Sequence, residues 1–152
     1  MLKRRTLLVL GMIFIFMFLA VGLGYTFDAN QLQTAKTTKS CPNCDLSSAN
    51  LAGQTLAPAN LNGANLNSII LYGSQLTAVN LSRAFLVNSR LDNANLTAAN
   101  LTGANLMGTN LTNANLHVAN LTGANVMTAI LSDATWTDGA KCKPGSRGVC
   151  NK

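Results

Sequence analysis

The sequence predicts an all-β solenoid in which the chain turns once every five residues. Three observations predict it: leucine recurs at a strict spacing of five, a small residue usually precedes it by two positions, and Asn, Gly, Thr and Ser fill most of the other places. No insertion interrupts the series between residues 44 and 136. The length of 152 residues leaves room for one domain with one core.

The spacing of five excludes the two regular elements. The series runs from Leu46 to Leu131, with Val126 replacing one leucine and Trp136 as its last member. On a helix, which turns about 100° per residue, five residues rotate by about 500° and spread the leucines over every face. In a continuous strand, the odd spacing would send successive leucines to opposite faces. The leucines share one interior only if the chain bends in every pentad, and Asn and Gly tolerate such bends.

The unit, Ala-Asn-Leu-x-x, resembles the motif of the pentapeptide-repeat family, A(D/N)LXX, over residues 44–136. The resemblance implies a right-handed quadrilateral β-helix in which four pentads form one square coil, so that nineteen pentads give nearly five coils. Leucines twenty residues apart would then stack in columns, with Trp136 as a plug at the carboxyl end. The predicted core comprises Leu66, Leu86, Leu96, Leu106, Leu116 and Trp136.

The first segment has the composition of an export leader. Three cations, at residues 3–5, precede a long uncharged apolar run at residues 7–24. Such a run can span a bilayer, with its amino end in the cytoplasm. Its length exceeds the apolar core of about 7 to 15 residues in a cleaved signal and favours a retained anchor, although Gly22 and Gly24 offer one cleavage site. We expect a membrane contact through residues 7–25.

The four cysteines predict two local disulfides, because an exported chain meets an oxidising compartment. Cys41 and Cys44 would lie at one end of the solenoid and Cys142 and Cys150 at the other. These ends are roughly 20 Å apart at about 4.8 Å per coil, whereas a disulfide needs Cα atoms within about 7 Å. A redox pair would need a βαβ unit, and a zinc site would need a second close cysteine pair or nearby histidines. The sequence offers neither context.

The sequence predicts four segments of the chain and its cellular location. We expect a membrane anchor or signal segment at 1–27, preceding the solenoid as a hydrophobic helix, and a linker at 28–40. The β-helix would occupy 41–139 and a disulfide loop with the tail 140–152. The flanks of the repeat look like those of exported cyanobacterial members of the family, which implies a membrane-anchored or secreted protein facing the periplasm or a thylakoid lumen.

The charge distribution argues against nucleic acid as a partner. The net charge is +6, but among the basic residues only Arg83 and Arg90 lie inside the repeat. A phosphate-binding surface needs a continuous basic stripe, which is missing. The family also contains acidic DNA mimics that bind topoisomerases. That alternative fits poorly, because the repeat at residues 44–136 holds only Asp45, Asp92 and Asp133 as acidic residues.

No catalytic, metal or cofactor site is predicted. His117 is the single histidine, and the five aspartates are scattered along a chain that has no glutamate. A general acid and base pair therefore has no candidates, and a metal would lack a second ligand beside His117. The sequence favours a non-enzymatic structural or protein-interaction module over an uncharacterised enzyme.

The exceptions to the motif predict a contact surface. Outward positions of the repeat are normally small or polar, and eight residues depart from this rule or flank the departures; we call them the corner patch. Contiguous exposed apolar residues often mark contacts, although single ones are common on any surface. We expect a protein partner here. The corner patch comprises Phe85, Val87, Met107, Met127, Ile70, Tyr72, Arg83 and Arg90.

Overall fold

The computed structural model describes residues 27–152, which form a column of stacked turns preceded by one helix, α1 (Ala29–Thr38). Parallel β-bridges join residues twenty apart along the column, as in Asn65 to Phe85 and Phe85 to Asn105. Twenty residues are four pentads, so each turn of the column takes four pentads. All pairing within residues 27–152 is by isolated bridges, and no longer strand forms there.

Every pentad bends through the same four-residue turn. In the first leucine pentad the N–H of Ala49 donates to the carbonyl of Leu46 at 3.1 Å, and Ser48, the third residue of the turn, has a φ of 62°. A positive φ at this place is the mark of a type II turn and favours Gly or Asn. Each pentad from Leu46 to Leu131 repeats it, except the one that contains Pro58. The turn returns each leucine to the interior, as the spacing predicts.

Where an asparagine precedes the inward residue, its side chain closes the turn that follows. The Oδ1 of Asn95 accepts from the N–H of Thr97 at 3.1 Å and from its hydroxyl at 2.6 Å. Asparagines one coil apart also bond to each other, as Asn80 Nδ2 donates to Asn60 Oδ1 at 3.2 Å. One residue type therefore fixes the local bend and links neighbouring coils.

Leucines fill the interior in four columns, which we name after their first members Leu46, Leu51, Leu56 and Leu61. The five leucines of the core prediction have no accessible surface, and Trp136 is half-buried against them. Where serine or threonine replaces the inner alanine, its hydroxyl bonds a carbonyl: Ser89 Oγ donates to Leu66 O at 2.6 Å and Thr109 Oγ1 to Leu86 O at 2.7 Å. These polar atoms are buried without loss of a hydrogen bond.

Helix α1 covers the amino end of the column. Asp28 caps it by accepting from the N–H groups of Asn30 and Gln31. Ala35 is fully buried, and Gln31 Oε1 accepts from the backbone N–H of Asp45 at 2.6 Å. The interval 28–40, where the sequence predicts a linker, contains a helix. The helix covers the apolar end that the first coil would otherwise expose.

The first cysteine pair lies within the repeat. Cys41 and Cys44 occupy the leucine and alanine places of one further pentad, in which Cys41 N donates to Asn60 O at 2.8 Å. Both are buried, and the structure joins them with Cα atoms 5.5 Å apart.

The carboxyl end is covered by the tail. The chain reverses after Trp136, and two antiparallel bridges, Thr135 to Lys141 and Ile130 to Arg147, lay the tail over the last pentads of the Leu56 and Leu51 columns. The structure joins Cys142 to Cys150, with Cα atoms 4.9 Å apart.

Within residues 27–152 the structure has no helix of the length and apolarity that crossing a membrane requires. The expected membrane contact through residues 7–25 is corrected by this finding, since no membrane-crossing helix supports it. Residues 7–25, and the predicted hydrophobic helix of residues 1–27 except its last residue, lie outside the described part of the chain.

Replacing Leu96 by Lys tests the register of the core. Leu96 is fully buried in the middle of its column, and an unpaired ammonium there should lower the free energy of unfolding by more than about 3 kcal/mol. Ala98→Lys places the same charge on the exposed turn of the same pentad and should leave stability nearly unchanged. Thermal unfolding followed by circular dichroism measures both. An unchanged midpoint for Leu96→Lys would show that this side chain is not inward.

Removing the Cys142–Cys150 pair tests the carboxyl cover. Opening a loop with a sequence separation of 8 should cost about 2 to 3 kcal/mol. Trp136 is the single tryptophan and packs under this cover, so its emission should shift to the red at lower denaturant in Cys142→Ser/Cys150→Ser. The matched control, Cys41→Ser/Cys44→Ser, opens the other end and should leave native Trp136 emission unchanged. Equal effects of the two double variants would contradict the assignment of separate ends.

Candidate interaction surface

The structure exposes most of the corner patch. Phe85 is 50% exposed, Tyr72 47%, Met107 40% and Met127 63%. Arg83 and Arg90 are exposed, while Val87 and Ile70 are half-buried. The turn geometry accounts for this, because the residues before and after each inward leucine point outward.

Four members form one stripe on the Leu46 column. Val87, Met107 and Met127 each follow the inward residue of their pentad and lie on consecutive coils, joined by the bonds Asn88 N to Met107 O and Gly108 N to Met127 O at 3.0 and 3.2 Å. Consecutive coils are about 4.8 Å apart, so the three side chains form a continuous row. Phe85 precedes Leu86 in the same pentad as Val87. We call these four residues the apolar stripe.

The other members lie on different columns. Ile70 and Arg90 pair on the Leu51 column, and the Arg90 guanidinium lies 5.9 Å from the centre of the Tyr72 ring. The Arg90 guanidinium donates a hydrogen bond to Asp92 Oδ2 at 3.2 Å. This bond and the negative charge of Asp92 raise the pKa of Arg90. Tyr72 thus belongs to a cation–carboxylate cluster. Arg83 lies on the Leu61 column, with its stem near Gly103.

Two exposed apolar residues were missed by the sequence reasoning. Val118 is 58% exposed and Val149 60% exposed. Val118 occupies a turn place with a φ of 53°, where a β-branched residue is unusual. Gly or Asn occupies about half of the equivalent places and Val only this one, so the departure was visible in the sequence. Val149 lies in the tail, where no repeat exists to make it conspicuous.

The described residues contain no arrangement of three or more His, Cys, Asp or Glu side chains suited to a metal ion. His117 is exposed and lies beside Gly139. Asp138 accepts from Lys152 and from the N–H of Ala140, and these bonds lower the pKa of its carboxyl. This ion pair ties the end of the tail to the turn below it.

Comparison with known proteins gives a consistent picture. A family model described as pentapeptide repeats matches residues 44–83, 74–113 and 94–133, in 8 copies. A pentapeptide repeat protein of the cyanobacterium Cyanothece 51142 is 32% identical over 69% of this chain and 92% of its own, with a TM-score of 0.40. Among curated proteins, no match was found.

Two further solved structures are similar. A pentapeptide repeat protein of the Arabidopsis thaliana thylakoid lumen is 26% identical over 86% of this chain and 93% of its own, with a TM-score of 0.52. HetL, a pentapeptide repeat protein involved in heterocyst differentiation regulation in Nostoc sp. strain PCC 7120, is 28% identical over 67% of this chain and 61% of its own, with a TM-score of 0.36. The family match and the lumenal structure support a right-handed β-helix solenoid.

Proposed function

Because the chain belongs to the pentapeptide-repeat family, we propose that it is a non-enzymatic, exported module that binds another protein through the apolar stripe. One observation carries the proposal: Phe85, Met107 and Met127 are exposed at places where most pentads have Asn, Thr or Ser. Exposing them to water has a cost that a contact would relieve.

The side chains of the stripe suit a protein contact. Aromatic residues and methionine are enriched in interface cores, and methionine adapts its shape to an irregular partner. Arg83 precedes Phe85 by two residues and Arg90 lies on the next column, so cations border the stripe. Such a charged rim would orient the partner on the stripe more than it would strengthen binding. The Tyr72 and Arg90 cluster is the second part of the proposed contact.

The proposal also includes the shape and number of the coils and the compartment in which the protein lies. The pairing of residues twenty apart supports a square coil of four pentads and nearly five coils in all. The two cysteine pairs and the similarity to a protein of the Arabidopsis thylakoid lumen support export, to a periplasm or a lumen. We retain the solenoid at 41–139 and the disulfide loop and tail at 140–152 as its parts.

The double change Phe85→Asn/Met107→Asn tests the binding surface. It restores the commoner surface chemistry of the repeat and leaves the inward leucines untouched, so the thermal midpoint should hold. Capture of cross-linked partners from source cells, quantified by mass spectrometry, should fall about tenfold or more, because truncating an anchor residue costs about 2 kcal/mol or more.

Val118→Asn is the matched control, since it removes an exposed apolar side chain from the Leu56 column. It should leave capture unchanged. Wild-type recovery of every partner by the double variant would reject the stripe as the binding surface, and unfolding of the double variant would reject the assignment of faces.

Fusion of alkaline phosphatase after Lys152 of the full chain tests export, because the enzyme requires an oxidising compartment for its own disulfides. We expect activity in a bacterial host, and none from the same fusion that lacks residues 1–26. An inactive full-length fusion that accumulates to normal levels would contradict an exported location.

A further inference from the structure

The two methionines of the described chain both lie in the apolar stripe. Residues 27–152 contain Met107 and Met127, and the other methionines of the sequence precede residue 27. Met107 is 40% exposed and Met127 is 63% exposed. They lie on consecutive coils of the Leu46 column, where Gly108 N donates to Met127 O at 3.2 Å. Both thioether side chains of this part of the protein are therefore on one surface and in contact with water.

The cysteines offer no competing site for an oxidant. The structure joins Cys41 to Cys44 and Cys142 to Cys150, and residues 27–152 contain no free cysteine. Peroxides attack the thiolate form of cysteine, which a disulfide does not provide. The sulfur atoms most open to a peroxide in this part of the chain are therefore those of the two stripe methionines.

The fold does not require methionine at these two places. Each place directly follows the inward residue of its pentad, and the equivalent places on the three preceding coils hold Ser47, Asn67 and Val87. Val87, on the coil next to Met107, is half-buried. The row therefore accepts polar side chains and also an aliphatic side chain that a peroxide cannot oxidise.

The hydrogen bonds that hold the methionine backbone do not involve the sulfur atoms. The N–H of Met107 donates to Asn105 Oδ1 at 3.2 Å, and the N–H of Met127 donates to Asn125 Oδ1 at 3.0 Å. The carbonyl of Met107 accepts from Asn88 N on the preceding coil at 3.0 Å. A chemical change at the sulfur atoms therefore alters the surface of the column and leaves its turns and its leucine core in place.

Hydrogen peroxide converts a thioether into a sulfoxide. The sulfur lone pair attacks one peroxide oxygen, an S–O bond forms, the O–O bond breaks and water leaves, so sulfur loses two electrons and the peroxide gains them. The apolar side chain becomes polar, and burying its oxygen against an apolar partner without a donor costs free energy. A methionine sulfoxide reductase reverses the change, because a dithiol supplies two electrons and two protons and the oxygen leaves as water.

We propose that Met107 and Met127 are a reversible oxidation site, at which peroxide converts the apolar stripe into a polar surface and releases its protein partner. The inference rests on the proposed binding role of the stripe. Met107 lies between Val87 and Met127 in the row, so its sulfoxide interrupts the row at the centre. Oxidation of Met127 makes the end of the same row polar. Phe85 and Val87 alone then remain as the apolar part of the contact.

Treatment of the folded full chain with hydrogen peroxide, followed by peptide mass spectrometry, tests the oxidation site. Met127 should be oxidised about as fast as in the chain unfolded by denaturant, and Met107 about twofold to threefold more slowly, because susceptibility follows exposure. The thermal midpoint should not change, and methionine sulfoxide reductases should return both residues to the thioether. Protection of both methionines by the fold, by about tenfold or more, would overturn the assignment of the site.

Capture of the source-cell proteins that bind untreated wild type but not Phe85→Asn/Met107→Asn tests the release. Wild type oxidised with peroxide, and freed of peroxide before it meets the extract, should capture them about tenfold or more weakly, and the reductases should restore capture. Met107→Leu/Met127→Leu keeps the row apolar without a thioether and should capture them equally before and after peroxide. Met107→Gln/Met127→Gln places polar amides in the row and should capture them weakly without peroxide.

The results separate a failure of the oxidation site from a failure of the stripe. Equal capture of every protein by untreated wild type and Phe85→Asn/Met107→Asn would overturn the binding role of the stripe and the release with it. Stripe-dependent capture that peroxide leaves unchanged would overturn the release alone. So would an equal loss in Met107→Leu/Met127→Leu, because another group would then be the one oxidised. A lower thermal midpoint of the oxidised wild type would make the loss an effect on folding and would also overturn the release.

Discussion

Everything in this fold depends on one turn that, in every pentad from Leu46 to Leu131 except the one with Pro58, places a residue with positive φ two positions after the inward residue. The turn lets a spacing of five bring every leucine to the same interior. Glycine and asparagine adopt this conformation at little cost, which explains their abundance. The fold nevertheless tolerates Val118 at a φ of 53° and Thr128 at 61°. Stacking on the coil below therefore outweighs local strain at these places.

Each coil packs against its two neighbours, so the first and last coils each lack one neighbour and need another segment to cover their apolar ends. The amino end is covered by a helix and a disulfide that takes the leucine and alanine places of a pentad. The carboxyl end is covered by an antiparallel tail that pairs with the last pentads of the Leu51 and Leu56 columns. The solenoid is therefore regular along its length, and its two ends differ from it and from each other in the segments that cover them.

A repeat that uses its regular inward positions for packing has only its outward positions left for specificity. Most of these are Asn, Thr, Ser and Gly, whose hydrogen bonds serve the turns and ladders. The apolar stripe and the Tyr72, Arg90 and Asp92 cluster are departures that packing does not require. Because they project from a regular column, their spacing along it is set by the coil, about 4.8 Å per step.

The sequence by itself determined the solenoid, its register and its inward leucines, because a strict period leaves one way to bury them all. It also identified four of the exposed apolar residues, Tyr72, Phe85, Met107 and Met127, because they depart from the repeat, but it missed Val118 and Val149. Helix α1 and the place of Cys41 and Cys44 within a pentad were not predicted, because they depend on what the first coil needs above its leucines. The path of the tail over the carboxyl end was decided by tertiary structure alone. That path is fixed by contacts between residues distant in sequence, such as the bond from Leu131 N to Ser146 O, and no repeat pattern predicts them.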